Sequence, residues 1–342
     1  MRFETTTSPH KAAGTKVSSV MRQVLYALVP GIAVATYYFG PGVLIQIMLA
    51  SVTALITEAA ILRWRKRAVG RYLTDYSALV TAWLLALSIP SIAPWWLVVI
   101  GTAFSISFSK QLYGGIGYNP FNPAMVGYVV LLISFPVEMS QWPATNPALG
   151  TQLSMVDTLL IVFQPDTIQQ WDAITAATPL DTIRSELLSG NNLNTAEQAL
   201  AAPGIISAQG WEAVAVAYLL GGLWLWYRQV ITWHIPFSLL GGLFVMAMLF
   251  SEINTDQYPS AWFHLFSGGA MLGAFFIATD PVSAATSNKG KVIYAAGIGV
   301  LIYIIRTWGS YPDAVAFAVL LMNLCAPYID YYTQPRVFGA QT

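Results

Sequence analysis

The chain has 342 residues, 56% of them hydrophobic and only 9% charged, with no net charge. A soluble globular domain carries about 25% charged residues, so too few remain here to cover a water-facing surface, and the composition specifies an integral membrane protein. The neutral balance, without a basic cluster interleaved with aromatics, argues against a nucleic-acid partner. The lone Cys325 excludes disulfides within the chain and cysteine-ligated clusters, and the scattered His10, His234 and His264 argue against a metal site.

In the N-terminal segment, 1–20, the first 19 residues are polar and lack the apolar core of a cleavable signal peptide. Apolar runs long enough to span a bilayer, about 17–25 residues, follow near 21–38, 42–62, 74–90, 94–109, 123–137, 212–228, 234–251, 261–279, 291–307 and 312–329. The expected fold is therefore all-α, with about ten transmembrane helices. They form two five-helix halves, 21–138 and 212–329, around a polar segment at 139–211, with a short tail at 330–342. Halves that begin on opposite sides of a membrane are the arrangement of an inverted repeat, although no sequence repeat supports one. With the N-terminus inside, 14 of the 16 Lys and Arg residues fall on the cytoplasmic side, Arg184 and Arg306 excepted. The positive-inside rule thus puts both termini in the cytoplasm and 139–211 outside.

Four places along this frame carry polar chemistry. Glu58 lies about one turn before the basic cluster Arg63–Arg67, where a salt bridge or snorkelling accounts for it and a proton- or sodium-handling role is the alternative. The passage Gly114-Gly115-Ile116-Gly117-Tyr118-Asn119-Pro120-Phe121-Asn122-Pro123-Ala124-Met125 cannot be one continuous helix, because two X-Pro steps and three glycines interrupt it. It reads either as a loop capping the fifth span, with Asn122 as N-cap, or as a re-entrant turn at a cofactor or ion site. In the polar segment, Asp172-Ala173-Ile174-Thr175-Ala176-Ala177-Thr178-Pro179-Leu180 ends in a helix start, with Thr178 as N-cap, Pro179 at the first helical position and Asp181 in the first turn. Finally, Ala278-Thr279-Asp280-Pro281 closes an apolar run with an ionisable residue, either a helix end at the interface or a functional carboxylate. The tryptophans near span ends, among them Trp95, Trp224 and Trp308, read as interface anchors.

The 172–178 stretch resembles the flavin-attachment motif of the membrane subunits of Rnf and Nqr redox pumps, roughly Asp-Gly-x-Ser/Thr-Gly-Ala-Thr. Asp172, Thr175, Ala177 and Thr178 fit the pattern, and Ala173 and Ala176 replace its two glycines. The passage from Gly114 through Asn119, Phe121 and Asn122, and Thr279-Asp280-Pro281, resemble further elements of the same family. The resemblance covers the whole chain and is nearest to the Rnf D subunit. It implies FMN held covalently on Thr178 through a phosphoester, with a non-covalent riboflavin as a further family cofactor. It also implies an inner-face cofactor path near Asn119, Asn122, Thr279 and Asp280. The implied activity is electron flow between ferredoxin and NAD coupled to Na⁺ or H⁺ movement in a bacterial inner membrane. Implied partners are other membrane, iron–sulfur and flavin-bearing subunits, and a flavin transferase for maturation. The B subunit of the sodium-pumping NADH:quinone reductase shares both motifs, but it usually has a longer N-terminal extension. A solute transporter with broken helices is the alternative from a different class.

The charge asymmetry makes a topology prediction. In a chain with Cys325→Ser, a membrane-impermeant thiol reagent applied to intact cells should label Gly190→Cys, and should label Lys66→Cys only after lysis. The reverse pattern would contradict the orientation.

Overall fold

The computed structural model describes residues 16–145, 153–165, 174–200, 202–309, 311 and 313–334. Among them, regular structure is helical, and other pairing is limited to two isolated antiparallel bridges, Pro143 with Thr175 and Pro203 with Ala208. The first half comprises α1 (Val17–Phe39), α2 (Gly42–Trp64), α3 (Ser77–Ser88), α4 (Trp95–Phe104) and α5 (Pro123–Ser134). Helix α6 (Pro179–Leu188) belongs to the polar segment. The second half comprises α7 (Gln209–Tyr227), α8 (His234–Ile253), α9 (Ala261–Phe266), α10 (Asn288–Trp308) and α11 (Val315–Thr333).

Each of the ten apolar runs carries a helix, but the helices are unequal. Helices α1, α2, α8, α10 and α11 are long and apolar enough to cross a membrane. Helix α7 is as long but less apolar, with Glu212 in its first turn, and the remaining four are short or made in pieces for reasons visible in the chain. Pro90 and Pro94 bracket the turn between α3 and α4, while Pro123 starts α5 and Pro136 follows its end. Helix α4 continues as a π-helical stretch, Ser105–Gln111. Helix α9 breaks at Ser267-Gly268-Gly269, resumes at Ala270–Leu272 and then runs as a second π-helical stretch, Gly273–Ile277. Such stretches mark places where the regular ladder is interrupted, often at functional sites.

One apolar core runs through both halves, with Leu28, Leu97, Phe275, Tyr294 and Tyr303 fully buried within it. The halves meet where α1 crosses α7. Gly221 faces the carbonyl of Ala27, and Gly31 lies under the ring of Tyr218, so a Cβ at either position would collide. Small residues at such crossings are how membrane helices gain close van der Waals contact, since lipid gives no hydrophobic drive between them.

Helix α6 is docked on the second half. Leu180 and Ile183 join Leu193, Ala196 and Leu200 around Phe263 of α9. Arg184 donates to the carbonyls of Arg306 (3.3 Å) and Gly309 at the C-terminal end of α10, where unpaired carbonyls and the negative end of the helix dipole favour a cation. Arg306 is buried, not exposed as an unpaired outer-face cation would be. It donates to the carbonyls of His264 (2.7 Å) and Ser267 (3.2 Å) and pairs with Asp313 at 3.4 Å. It therefore spans the break in α9 from the α10 side. Arg306→Ala leaves two carbonyls and a partly exposed carboxylate without their donor, a loss of roughly 2 kcal/mol. Its unfolding midpoint in detergent should fall clearly, and an unchanged midpoint would show that this bridge contributes nothing.

Candidate functional site

Thr178 has extended backbone geometry (φ −66°, ψ 157°) and begins α6 as its N-cap. Its Oγ1 accepts the Asp181 N–H at 3.2 Å and donates to Asp181 Oδ2 at 2.8 Å, and Pro179 takes the first helical position. The capping geometry legible in the sequence is thus the one that forms. Burial raises the Asp181 carboxyl pKa, outweighing the Thr178 hydrogen bond and the Arg184 charge, which lower it. The Thr182 hydroxyl is used inside the helix, donating to the Thr178 carbonyl at 3.1 Å. Upstream, Thr175 pairs with Pro143 in the isolated bridge. Ala144 donates to the Ile174 carbonyl (2.8 Å) and Ala176 to that of Trp142 (3.0 Å), so the motif lies against Trp142. Asp172 lies outside the described residues, as do 1–15 and 335–342 of the two terminal segments.

Beside Thr178 and Asp181 opens a cavity of about 320 Å³. One wall is an aromatic cluster of Phe39, Trp142 and Trp211, with ring centroids 4.9 Å (Phe39–Trp211), 5.0 Å (Trp142–Trp211) and 6.5 Å (Phe39–Trp142) apart. Gly268, Gly269 and Asp313 contribute to the lining, with the Gly269 N–H donating to Asp313 Oδ2 at 3.1 Å. The cavity reaches inward between the two halves to Tyr128, Tyr218, Met125 and Ile277.

The other sequence candidates gather elsewhere. Asn119, Asn122, Thr279 and Asp280 line one smaller cavity of about 110 Å³, together with Ser77 and Lys110. Each already has partners within the chain. Asn119 Nδ2 donates to the Phe121 carbonyl at 3.1 Å, and Thr279 Oγ1 to the Phe275 carbonyl at 2.8 Å. Asp280 accepts from the Val282 N–H (3.3 Å) and the Ser283 hydroxyl (2.8 Å). Phe121 contributes through its carbonyl, which also accepts from Ser109 at 3.5 Å. Asn122 caps α5, its Oδ1 accepting the Met125 N–H at 3.2 Å, while its Nδ2 donates to the Ile277 carbonyl at 3.1 Å. Gly114, Gly115 and Gly117, with φ of +121°, +107° and +94°, make the loop before α5 in a backbone region that side chains disfavour.

A thin layer separates the cavities. Met125, Leu272 and Ile277 line the larger one, and Asn122, Phe275 and Phe276 the smaller. Helix α2 gives the scale along the bundle: Val43 lines the larger cavity, and Glu58, fifteen residues on, lies beside the smaller at roughly 22 Å by helical rise.

Glu58 departs from expectation. Its partner is Lys110 of the π-helical stretch, at 2.6 Å and fully buried, not the Arg63–Arg67 cluster. Lys110 also donates to Ser77 Oγ (2.7 Å), and Gln111 Nε2 to Glu58 Oε1 (2.7 Å). Lys110 is thus an interior residue, not a loop cation. Two arginines of the cluster cap the end of that stretch instead, Arg65 donating to the Gln111 carbonyl (2.5 Å) and Arg67 to that of Gly114 (2.7 Å). Glu58 lies on the α2 face that buries Ala54 and Leu62, which turns it inward.

The sequence matches the profile of the NQR2, RnfD, RnfE family over residues 4–339. The chain belongs to this family. Similar proteins include the D subunit of the ion-translocating oxidoreductase complex of Alcanivorax borkumensis, 52% identical over 99% of this chain and 97% of that protein. The proteins of the same name from Pseudomonas aeruginosa strain UCBPP-PA14 and Erwinia tasmaniensis are each 51% identical, covering 97% and 99% of this chain and 95% and 99% of theirs. For this family member, sequence reasoning overlooked the groups that shape the larger cavity. Tyr128, Tyr218, Trp142, Trp211 and Asp313 sit within or beside apolar runs, where they look like core or interface residues. Asp313, at the N-terminal approach to α11, offered the one readable signal, a carboxylate close to an apolar span.

Asn122→Ala should lose both the cap and the link to Ile277, roughly 2 kcal/mol in all, and Asn122→Ser, which keeps a cap, should fall between it and the parent. Unfolding midpoints in detergent that do not follow this order would contradict the double role.

Proposed function

We propose that this chain is the membrane electron-relay subunit of an Rnf-type ion-translocating oxidoreductase complex and carries FMN as a phosphoester on Thr178 Oγ1. The observation that carries this reading is the position of the Thr178 hydroxyl, at a helix N-terminus on the edge of an aromatic-walled cavity of about 320 Å³. N–H groups and the positive dipole end at a helix start favour a phosphate, and the volume falls within the range of small-molecule sites. Relatives named as D subunits of the ion-translocating oxidoreductase complex favour the Rnf assignment over the B subunit of the sodium-pumping reductase.

Bound there, the flavin supplies one- and two-electron chemistry. The chain's own groups divide the remaining work. Thr178 tethers, the first turn of α6 faces the phosphate, and Phe39, Trp142 and Trp211 exclude water and offer ring faces. A tether suits the outer face of an inner membrane, where a released flavin would be lost by dilution. Coupled Na⁺ or H⁺ movement, electron exchange with further membrane, iron–sulfur and flavin subunits, and maturation by a flavin transferase complete the proposal. The cavity at Asn119, Asn122, Thr279 and Asp280, at about 110 Å³, lies well under the usual size of ligand sites. It does not fit a riboflavin and suits water or an ion on a polar path.

Thr178→Val, made with the flavin transferase, should run on a denaturing gel without the ultraviolet-fluorescent band, whereas Thr175→Val and Thr182→Val should keep it. A band of full intensity in Thr178→Val would refute the assignment.

A further inference from the structure

The hydroxyls and carboxylates of serine, threonine and aspartate that line the larger cavity are already committed. Ser88 donates to the Leu84 carbonyl (2.7 Å) and Ser91 to that of Phe39 (3.3 Å). Asp313 accepts from Gly269, Val315 and Arg306, and Thr178 and Asp181 hold each other. Three tyrosines differ, among them Tyr311, whose ring stacks on Phe317 with centroids 5.0 Å apart. Tyr128 of α5 and Tyr218 of α7 line the cavity, and neither hydroxyl bonds to another described residue. Tyr218 is 5% exposed, its ring held over Gly31 and edge-on to Phe276 at 6.0 Å. Tyr128 shares this lining with Thr178, Asp181 and Asp313. These phenols open on the cavity with their donors unspent, so a ligand that accepts hydrogen bonds would find partners there. Tyr128 and Tyr218 come from different halves of the molecule, so a planar ring between them would be gripped by both.

We propose that Tyr128 donates a hydrogen bond to the isoalloxazine ring in this cavity and thereby sets its reduction potential, with Tyr218 closing the opposite side. The inference rests on the flavin reading of Thr178. A donor aimed at a ring carbonyl or nitrogen strengthens as electrons enter the ring and charge accumulates on those atoms. It therefore stabilises the reduced form and raises the potential. Asp181 and Asp313 are already engaged with Thr178, Gly269 and Arg306, which leaves the phenols as uncommitted hydroxyl donors of the lining.

The test uses the full chain loaded with FMN by its transferase and purified in detergent. Tyr128→Phe keeps the ring and removes only the hydroxyl, so covalent loading on the gel should equal that of the parent. At a fixed applied potential, the reduced-to-oxidised ratio of the flavin should fall about tenfold, a drop of about 30 mV for a two-electron couple. Tyr331→Phe, an exposed residue on α11, should leave the potential where it was. Full loading with an unmoved potential would overturn the role of Tyr128 and leave the Thr178 bond standing. Loss of loading in Tyr128→Phe, with the parent's unfolding midpoint, would assign the hydroxyl to attachment and overturn it equally. A parent chain without covalent flavin would refute the Thr178 reading and this inference together.

Discussion

Hydrocarbon offers no hydrogen bonds, so every interruption of a membrane helix must find its partners inside the protein. This constraint accounts for most of the polar architecture. The π-helical end of α4 is closed by Arg65 and Arg67. The break in α9 is spanned by Arg306, which gathers the carbonyls of His264 and Ser267 and pairs with Asp313. The second π-helical stretch ends at Ile277, whose carbonyl is taken by Asn122 of the opposite half. Each repair joins elements far apart in sequence, and a cavity lies beside each one.

The arrangement gives the two cavities different sizes and different polar groups. Where α9 breaks at Gly268-Gly269, the polar segment docks through α6, and an aromatic-walled space opens beside Thr178. Where α4 ends, the space is small and largely apolar, with the polar groups of Asn119, Asn122, Lys110 and Asp280 among its lining. Asn122 and Ile277 lie in the thin layer between them. Interrupted helices near the middle of a bundle recur where membrane proteins bind substrates and coupling ions, because freed backbone groups are then available at membrane depth. The buried Lys110–Glu58 pair extends the polar end further into the first half. Removing one partner of such a pair would strand a charge away from water.

Apolar runs made the helical framework legible, since only a helix can bury that much backbone in lipid. The caps at Thr178 and Asn122 were legible too, because Thr-Pro and Asn-Pro before an apolar run specify a helix start by local chemistry. What escaped depends on distant partners. Nothing near Glu58 announces that Lys110 will pair with it, because the contact joins α2 to the far end of α4. The nearby Arg63–Arg67 cluster seemed the obvious partner, yet it caps carbonyls instead. The π-helical stretches leave no mark in composition, since they arise from how neighbouring helices pack. Gly268-Gly269 sits in the same apolar run as Thr279-Asp280, but the run crosses the bundle, so the two ends serve different cavities. Tyr128 and Tyr218 are indistinguishable from core aromatics until the space before their hydroxyls is seen.

The central claim is that one hydroxyl, at the start of α6, joins this membrane scaffold to a redox cofactor. Fragmentation mass spectrometry of the peptide ending at Arg184, from chain made with its flavin transferase, tests it most directly. The account predicts an FMN adduct whose fragment ions place it on Thr178, with Thr175 and Thr182 unmodified. An unmodified peptide, or an adduct on either neighbour, would contradict it.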